Sequence, residues 1–376
     1  MLETTDPNDL IVDTARRFAQ ERLAPTAAAR EQAGAIEPEI IRSLGEMGFL
    51  GATISAEWDG AEIRYETYAQ VVEEIAAGDG AVSTLVSVHN APTCEILEKF
   101  GTEEQKERWL RPLASGQAVG SFALTEPSAG SDASGVRTRA VRTNSGYRIN
   151  GSKQFISNAR IGQTTILFAV TDPDAGKKGI SCFVVSNDTP GFSVARVEHK
   201  LGQKASDSCA LSFDDMDVPD EQRIGAEGEG LKIALSTLES GRIGIAAQSV
   251  GMARAALDYA ISYAKERKQF GRPIIEHQAV GFRLVEAKTR LAAAHELTLK
   301  AARLKDAGLP ALEAAAIAKL FASEAAEAIC SAAIQTLGGY GYLADYPVER
   351  IYRDVRVCQI YEGTSDVQKI ILQRML

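Results

Sequence analysis

The chain has 376 residues, 45% apolar and 24% charged, which suits two or three domains at roughly 150 residues each and a core that needs no staples. With 41 Lys and Arg against 50 Asp and Glu, the net charge of −9 argues against nucleic acid and anionic membrane as main partners. Cys94, Cys182, Cys209, Cys330 and Cys358 are scattered without CxxC spacing, which indicates neither a disulfide framework nor a zinc site; reduced, mostly buried thiols are expected. The start, MLETTDPNDL, is unlike a secretory signal, and no apolar run approaches a membrane span, so the cytoplasm is the expected compartment.

Residues 1–118 read as helical. Asp6-Pro7 offers an N-cap followed by proline at N1, and Ile11, Ala15 and Phe18 then recur on one face. Pro38 opens a run in which Ile40, Leu44 and Met47 repeat at i, i+4, i+7 spacing. A third run passes through Tyr68, Val71, Val72 and Ile75 until Gly78 and Gly80 break it. Residues 119–228 change character: segments 166–170, 182–185, 192–197 and 209–213 are short, β-branched and aromatic, with turn clusters such as Asp172-Pro173-Asp174 between them. That spacing predicts a compact β-barrel or sandwich. Over 229–376 the helical period returns in alanine-rich stretches. Val280, Leu284, Ala287 and Leu291 form one stripe, Ile317, Phe321, Ala325 and Ala328 another, with Gly308 and Pro310 between them. A four-helix bundle is predicted there. The fold class is α, then β, then α, in three domains.

No GxGxxG follows a strand, and there is no HExxH, P-loop or GxSxG; residues 225–230 read as a loop entering a helix. His89, His199, His277 and His295 lie far apart and give little support to a histidine-based site. Three segments carry more. SFALTEPSAGSD at 121–132 runs from a short apolar strand into a loop of small residues and hydroxyls; it could approach an anionic group or form an ordinary surface turn. QIYEGTSD at 359–366 sets one carboxylate, Glu362, among aromatic and apolar residues just before Gly363. Such surroundings raise a carboxyl pKa and suit a general base, although an exposed glutamate before a helix-ending glycine gives the same pattern. RKQFGR at 267–272 reads as the close of an amphipathic helix, its cations complementing the helix dipole.

Together these segments resemble the acyl-CoA dehydrogenase family over nearly the whole chain. ALTEPSAGSD at 123–132, KQFISNA at 153–159, GRIGIAAQSVG at 241–251, ERKQFGRPIIEHQAV at 266–280, QTLGGYGY at 335–342 and YPVERIYRDVRVCQIYEGTSDVQK at 346–369 fall in order at family spacing. The resemblance implies an N-terminal helical domain, a middle β domain and a C-terminal helical bundle, assembled as a homotetramer with FAD held between subunits. It implies α,β-dehydrogenation of a short- to medium-chain acyl-CoA to the trans-2-enoyl-CoA in fatty acid β-oxidation, with electrons passed to an electron-transfer flavoprotein.

Residue by residue, the resemblance implies that Phe122, Leu124, Thr125, Phe155 and Ser157 line the flavin ring, with the hydroxyls of Thr125 and Ser157 on its polar edge. Ser131 would meet the cofactor or the pantetheine arm. Arg267, Gln269, Phe270, Gln278, Gln335, Gly338 and Gly339 would hold FAD, partly from a neighbouring subunit, and Thr364 and Asp366 would touch its adenosine side. Glu239, Arg242 and Gly363 would lie against the acyl-CoA. Glu362 matches the catalytic base of the short- and medium-chain branches; other branches place that base at the position of Gly241, where glycine cannot act. Phe155 stands where many members carry tryptophan, and AEWDGAEI at 56–63 departs from the usual loop of the family. Alternatives within the resemblance are a dehydrogenase of a carrier-protein-bound acyl or prolyl thioester and an oxygen-using acyl-CoA oxidase. A non-catalytic scaffold keeping the fold is a third.

Overall fold

The computed structural model describes residues 6–376. The chain opens with eight helices: α1 (Pro7–Phe18), α2 (Ala27–Ala33), α3 (Pro38–Glu46), α4 (Tyr65–Gly78), α5 (Gly80–Val88), α6 (Glu95–Phe100), α7 (Glu103–Gln105) and α8 (Arg111–Ala114). Asp6 caps α1 by accepting from the Asn8 N–H at 2.9 Å, and Pro7 occupies its first turn. The α4 stripe Tyr68, Val71, Val72 and Ile75 is fully buried. Asp79 separates α4 from α5; it accepts from the N–H groups of Ala81 (2.8 Å) and Val82 (3.2 Å) and pairs with the buried Arg30 guanidinium at 2.5 Å.

Eight strands follow: β1 (Gly120–Ala123), β2 (Arg139–Arg142), β3 (Gly146–Ser157), β4 (Thr164–Val170), β5 (Ile180–Ser186), β6 (Phe192–Val197), β7 (Ser208–Pro219) and β8 (Arg223–Ile224). They form one sheet in the order β6-β7-β3-β2-β4-β5-β8, with β1 pairing in parallel to β4. The long β3–β7 ladder carries two register shifts, one between Lys153 and Ile156, which bends the strand where Phe155 projects.

Helix α9 (Gly230–Glu266) then packs against α4 and α11 (Leu312–Leu337). A Cβ at Gly251 would stand 2.1 Å from the Glu73 carbonyl oxygen, so α4 and α9 approach closely only because that side chain is missing. A short hairpin, β9 (Lys268–Gln269) and β10 (Arg272–Pro273), leads into α10 (Gln278–Asp306). Two short helices, α12 (Pro347–Val355) and α13 (Ser365–Gln373), close the chain.

Two sequence expectations need correction. Residues 267–272 do not close a helix: α9 ends at Glu266, and the segment turns back as a hairpin through Phe270 (φ 52) and Gly271 (φ 80), paired left-handed residues that match strand twist. On α11 the buried face is Ala315, Ala318, Ala322, Ala325, Ala326, Ile329 and Ala333; of the expected stripe Ala325 is buried, whereas Ile317 and Ala328 are half-buried and Phe321 is exposed. Phe321 is 38% exposed, because close helix packing seats alanine at the interface and leaves the large side chains on its flank. All five cysteines are buried free thiols. Among the described residues no helix is long and apolar enough to cross a membrane, and no group of three or more His, Cys, Asp or Glu could hold a metal ion.

Candidate active site

Glu362 sits on a short loop between α12 and α13 in the left-handed region, with φ 54, followed by Gly363 at φ 86. A glutamate in that region is strained and must be held by its surroundings. Three hydrogen bonds do so: Lys319 Nζ of α11 donates to the Gly363 carbonyl at 2.7 Å, and Gln368 Nε2 donates to the carbonyls of Glu362 (3.1 Å) and Gly363 (2.9 Å). Tyr361 anchors the other side by donating its hydroxyl to Gln248 of α9. The side chain of Glu362 is thereby laid against α9, where a Cβ at Gly241 would lie 2.6 Å from its Oε2. Glycine at 241 is what makes room for the carboxylate.

The carboxylate is poorly satisfied. Oε2 is buried without a hydrogen-bond partner among the described residues, and so is Nε of the buried Arg242. Burial pushes the Glu362 carboxyl up to about 7, against the opposing pull of Arg242 and Lys319. Burial also holds the Arg242 guanidinium below its ordinary value, with Glu362 and Glu239 acting the other way. Glu239 lies one turn earlier on α9, half-buried, 3.9 Å from Lys305.

A second cluster forms around the end of β1. Thr125 accepts the Gln154 N–H at 2.9 Å, which brings Leu124 and Thr125 beside Phe155 of β3. Lys153 fastens the junction, donating to the Leu124 carbonyl at 3.0 Å and to Glu126 at 2.8 Å. Phe155 is 64% exposed at φ 61, and Phe122 packs edge-on against Phe168 at 5.2 Å. Ser157 ends β3, half-buried; Ser131 is exposed on the loop between β1 and β2, next to Asp132, which accepts the Ser134 N–H at 3.1 Å.

The third cluster lies elsewhere. Arg267, Gln269, Gly338 and Gly339 line one cleft of about 390 Å³ with Tyr263 and Tyr340. Phe270 projects from the hairpin turn, 94% exposed, and Gln278 and Gln335 are exposed on α10 and α11. Gly241 and the end of α9 at Glu266 are about 38 Å apart along the helix at 1.5 Å per residue, so one chain does not bring this cleft to Glu362. Thr364 caps α13 by accepting the Val367 N–H at 3.2 Å, and Asp366 is exposed in its first turn.

Residues 5–117, 121–216 and 228–376 match the N-terminal, middle and C-terminal domains of acyl-CoA dehydrogenase, respectively. The chain belongs to the acyl-CoA dehydrogenase family. Among acyl-CoA dehydrogenases it is 42% identical to the short-chain specific enzyme of Clostridium acetobutylicum, covering 98% of this chain and 97% of that one. The butyryl-CoA dehydrogenase structure from Megasphaera elsdenii superposes with a TM-score of 0.97 at 40% identity, over 100% and 99% of the two chains. A chain from a structure of the electron transferring flavoprotein of Acidaminococcus fermentans gives 0.97 at 43% identity, over 100% and 99%.

Sequence reasoning passed over three residues that shape this dehydrogenase's Glu362 loop: Lys319, Gln368 and Gln248. Lys319 left one signal, a lone lysine within the alanine-rich stripe of α11. The two glutamines left none, since their partners are backbone carbonyls and a tyrosine hydroxyl distant in sequence.

Proposed function

We propose that this enzyme desaturates a short-chain acyl-CoA at its α,β-carbons, with Glu362 as the base that takes the α-proton. The observation that carries the reading is a buried, underpartnered carboxylate held against Gly241 with its pKa raised to about 7. A base poised near the working pH is matched to proton abstraction beside a thioester. Arg242 adjoins it and steadies the ionised form as the buried carboxylate loses its proton. The Glu362 N–H makes no backbone hydrogen bond among the described residues, which leaves it free to donate to the thioester oxygen as enolate character develops.

FAD fits the residues present. Phe155 offers an exposed aromatic face beside Thr125, and the cleft with Arg267 and Gln269 offers a cation and amide donors over glycines that leave the backbone uncovered, a donor set suited to a pyrophosphate. Phe122, Leu124, Thr125, Phe155 and Ser157 would hold the ring; Arg267, Gln269, Phe270, Gln278, Gln335, Gly338, Gly339, Thr364 and Asp366 would hold the remainder. When bound, FAD supplies the two-electron acceptor for the β-hydride as the α,β double bond forms. The separation of the Arg267 cleft from Glu362 supports a site completed by a second subunit, and the homotetramer of the family resemblance is the assembly proposed. Ser131, Glu239, Arg242 and Gly363 would face the thioester. An electron-transfer flavoprotein as acceptor and a cytoplasmic location complete the proposal.

Anaerobic addition of C4 to C12 acyl-CoAs to the holoenzyme tests it: the flavin absorbance bleaches fastest with the shorter chains, and the rate rises with pH through about 7 as Glu362 ionises. A flavin that no acyl-CoA bleaches rejects the reading.

A further inference from the structure

Lys319 occupies the middle of α11 with its side chain fully buried. The other fully buried lysine, Lys153, is paired with Glu126 at 2.8 Å. Lys319 makes no ion pair among the described residues; its one hydrogen bond goes to the Gly363 carbonyl. Its helix neighbours Ala315, Ala316, Ala318 and Ala322 are all buried. A methionine would fill this place without the desolvation of an ammonium, so packing gives no reason for the charge. The group it holds, however, is the residue next to the Glu362 carboxylate.

We propose that Lys319 is a positioning residue of the active site: its hydrogen bond to Gly363 fixes the left-handed turn that lays Glu362 against Gly241, and its charge favours the ionised carboxylate. This deepens the reading of Glu362 as the base and rests on it. Two roles are combined in one ammonium. As a donor, it joins Gln368 in holding the Glu362–Gly363 carbonyls inward, which leaves the carboxylate one direction to point. As a charge, it faces Cys358 and Glu362 from the segment after α12, Arg242 from α9 and Glu324 from its own helix, while Glu362 is faced by Arg242 and Lys319. Burial pushes the Lys319 ammonium down to about 8, so it remains mostly protonated at the pH where Glu362 ionises and loses its charge just above it.

The test compares Lys319→Met and Lys319→Gln holoenzymes, with Glu362 followed in two ways: the pH profile of kcat/KM, and infrared titration of its carboxyl band, assigned by its loss in Glu362→Gln. In Lys319→Met the carboxyl pKa rises by about one unit or more, and kcat at pH 7 falls about tenfold or more, since donor and charge are both gone. Lys319→Gln keeps an N–H donor; its kcat recovers at high pH while the raised pKa persists. A folded Lys319→Met enzyme with the parent carboxyl pKa and kcat overturns the proposal. Should Lys319→Met not fold, an unchanged carboxyl pKa in Lys319→Gln overturns the role of the charge. Full turnover in Glu362→Gln would instead reject the base itself, and the infrared titration, which needs no turnover, still reports whether Lys319 acts on Glu362.

Discussion

Two buried carboxylates in this molecule stand beside buried lysines, and their fates are opposite. In the β domain Glu126 accepts from Lys153 at 2.8 Å and from the N–H groups of Arg137 (2.6 Å) and Thr138 (2.9 Å). Burial alone would raise its pKa, but Lys153 and the Thr138 N–H hold it below the ordinary carboxylate range. At the end of the bundle, Glu362 has Arg242 and Lys319 near it but no hydrogen bond to Oε2, and burial wins, lifting it to about 7. Charge nearby is common to both; direct donors are what differ. A carboxylate given enough N–H groups is fixed as an anion and serves the fold, whereas one deprived of them stays ready to exchange a proton.

Four substitutions break or sharpen this contrast. The largest effect is expected for Glu362→Gln, which lowers kcat roughly 10²–10⁴-fold while far-ultraviolet circular dichroism and FAD content stay unchanged. Lys153→Met leaves Glu126 buried without its cation and destabilises the protein by roughly 3–5 kcal/mol in denaturant unfolding. The same unfolding experiment applied to Glu362→Gln gives the opposite sign. A carboxyl whose folded pKa is raised stabilises the native state below the ordinary carboxylate range and loses that contribution as pH rises through about 7. Glu362→Gln is therefore more stable than the parent at pH 8, by up to about 3 kcal/mol, with the gap closing towards pH 4. A parent enzyme that gains stability over the variant across that window would mean Glu362 is satisfied like Glu126.

Gly241→Ala sharpens the geometry. Its Cβ would stand 2.6 Å from Oε2 and 2.9 Å from Cδ of Glu362, so the carboxylate shifts, and kcat falls roughly 10²-fold with little change in unfolding midpoint. Thr102→Ala sets the baseline. It removes one half of the capping box of α7, in which Thr102 and Gln105 exchange hydrogen bonds of 3.2 and 3.0 Å, and lowers stability by about 1 kcal/mol without touching kcat.

Much of this was legible before any coordinates. The Asp6-Pro7 cap, the α4 stripe and the strand at 192–197 lie where short-range pattern put them, and Glu362 is singled out by the resemblance of its segment to the family, its local setting fitting an exposed glutamate equally well. The hairpin at 268–273 was not legible, because RKQFGR offers helix-end cations and a turn-forming Phe-Gly in the same six residues. The α11 stripe was right at Ala325 and misjudged at Ile317, Phe321 and Ala328, since alanine is buried by close approach rather than by its own hydrophobicity.

By itself the sequence determined the order of helical and sheet regions, which neighbours within a few turns of chain set, and, through motifs kept in order along the whole chain, the family and which acid to examine. Tertiary structure alone decided that Glu362 lies on Gly241, that its Oε2 goes without a donor, and that Lys319 and Gln368 clamp the turn beneath it. Those contacts join residues from 5 to 121 positions apart, and a pKa depends on which dipoles arrive there, which no local pattern encodes.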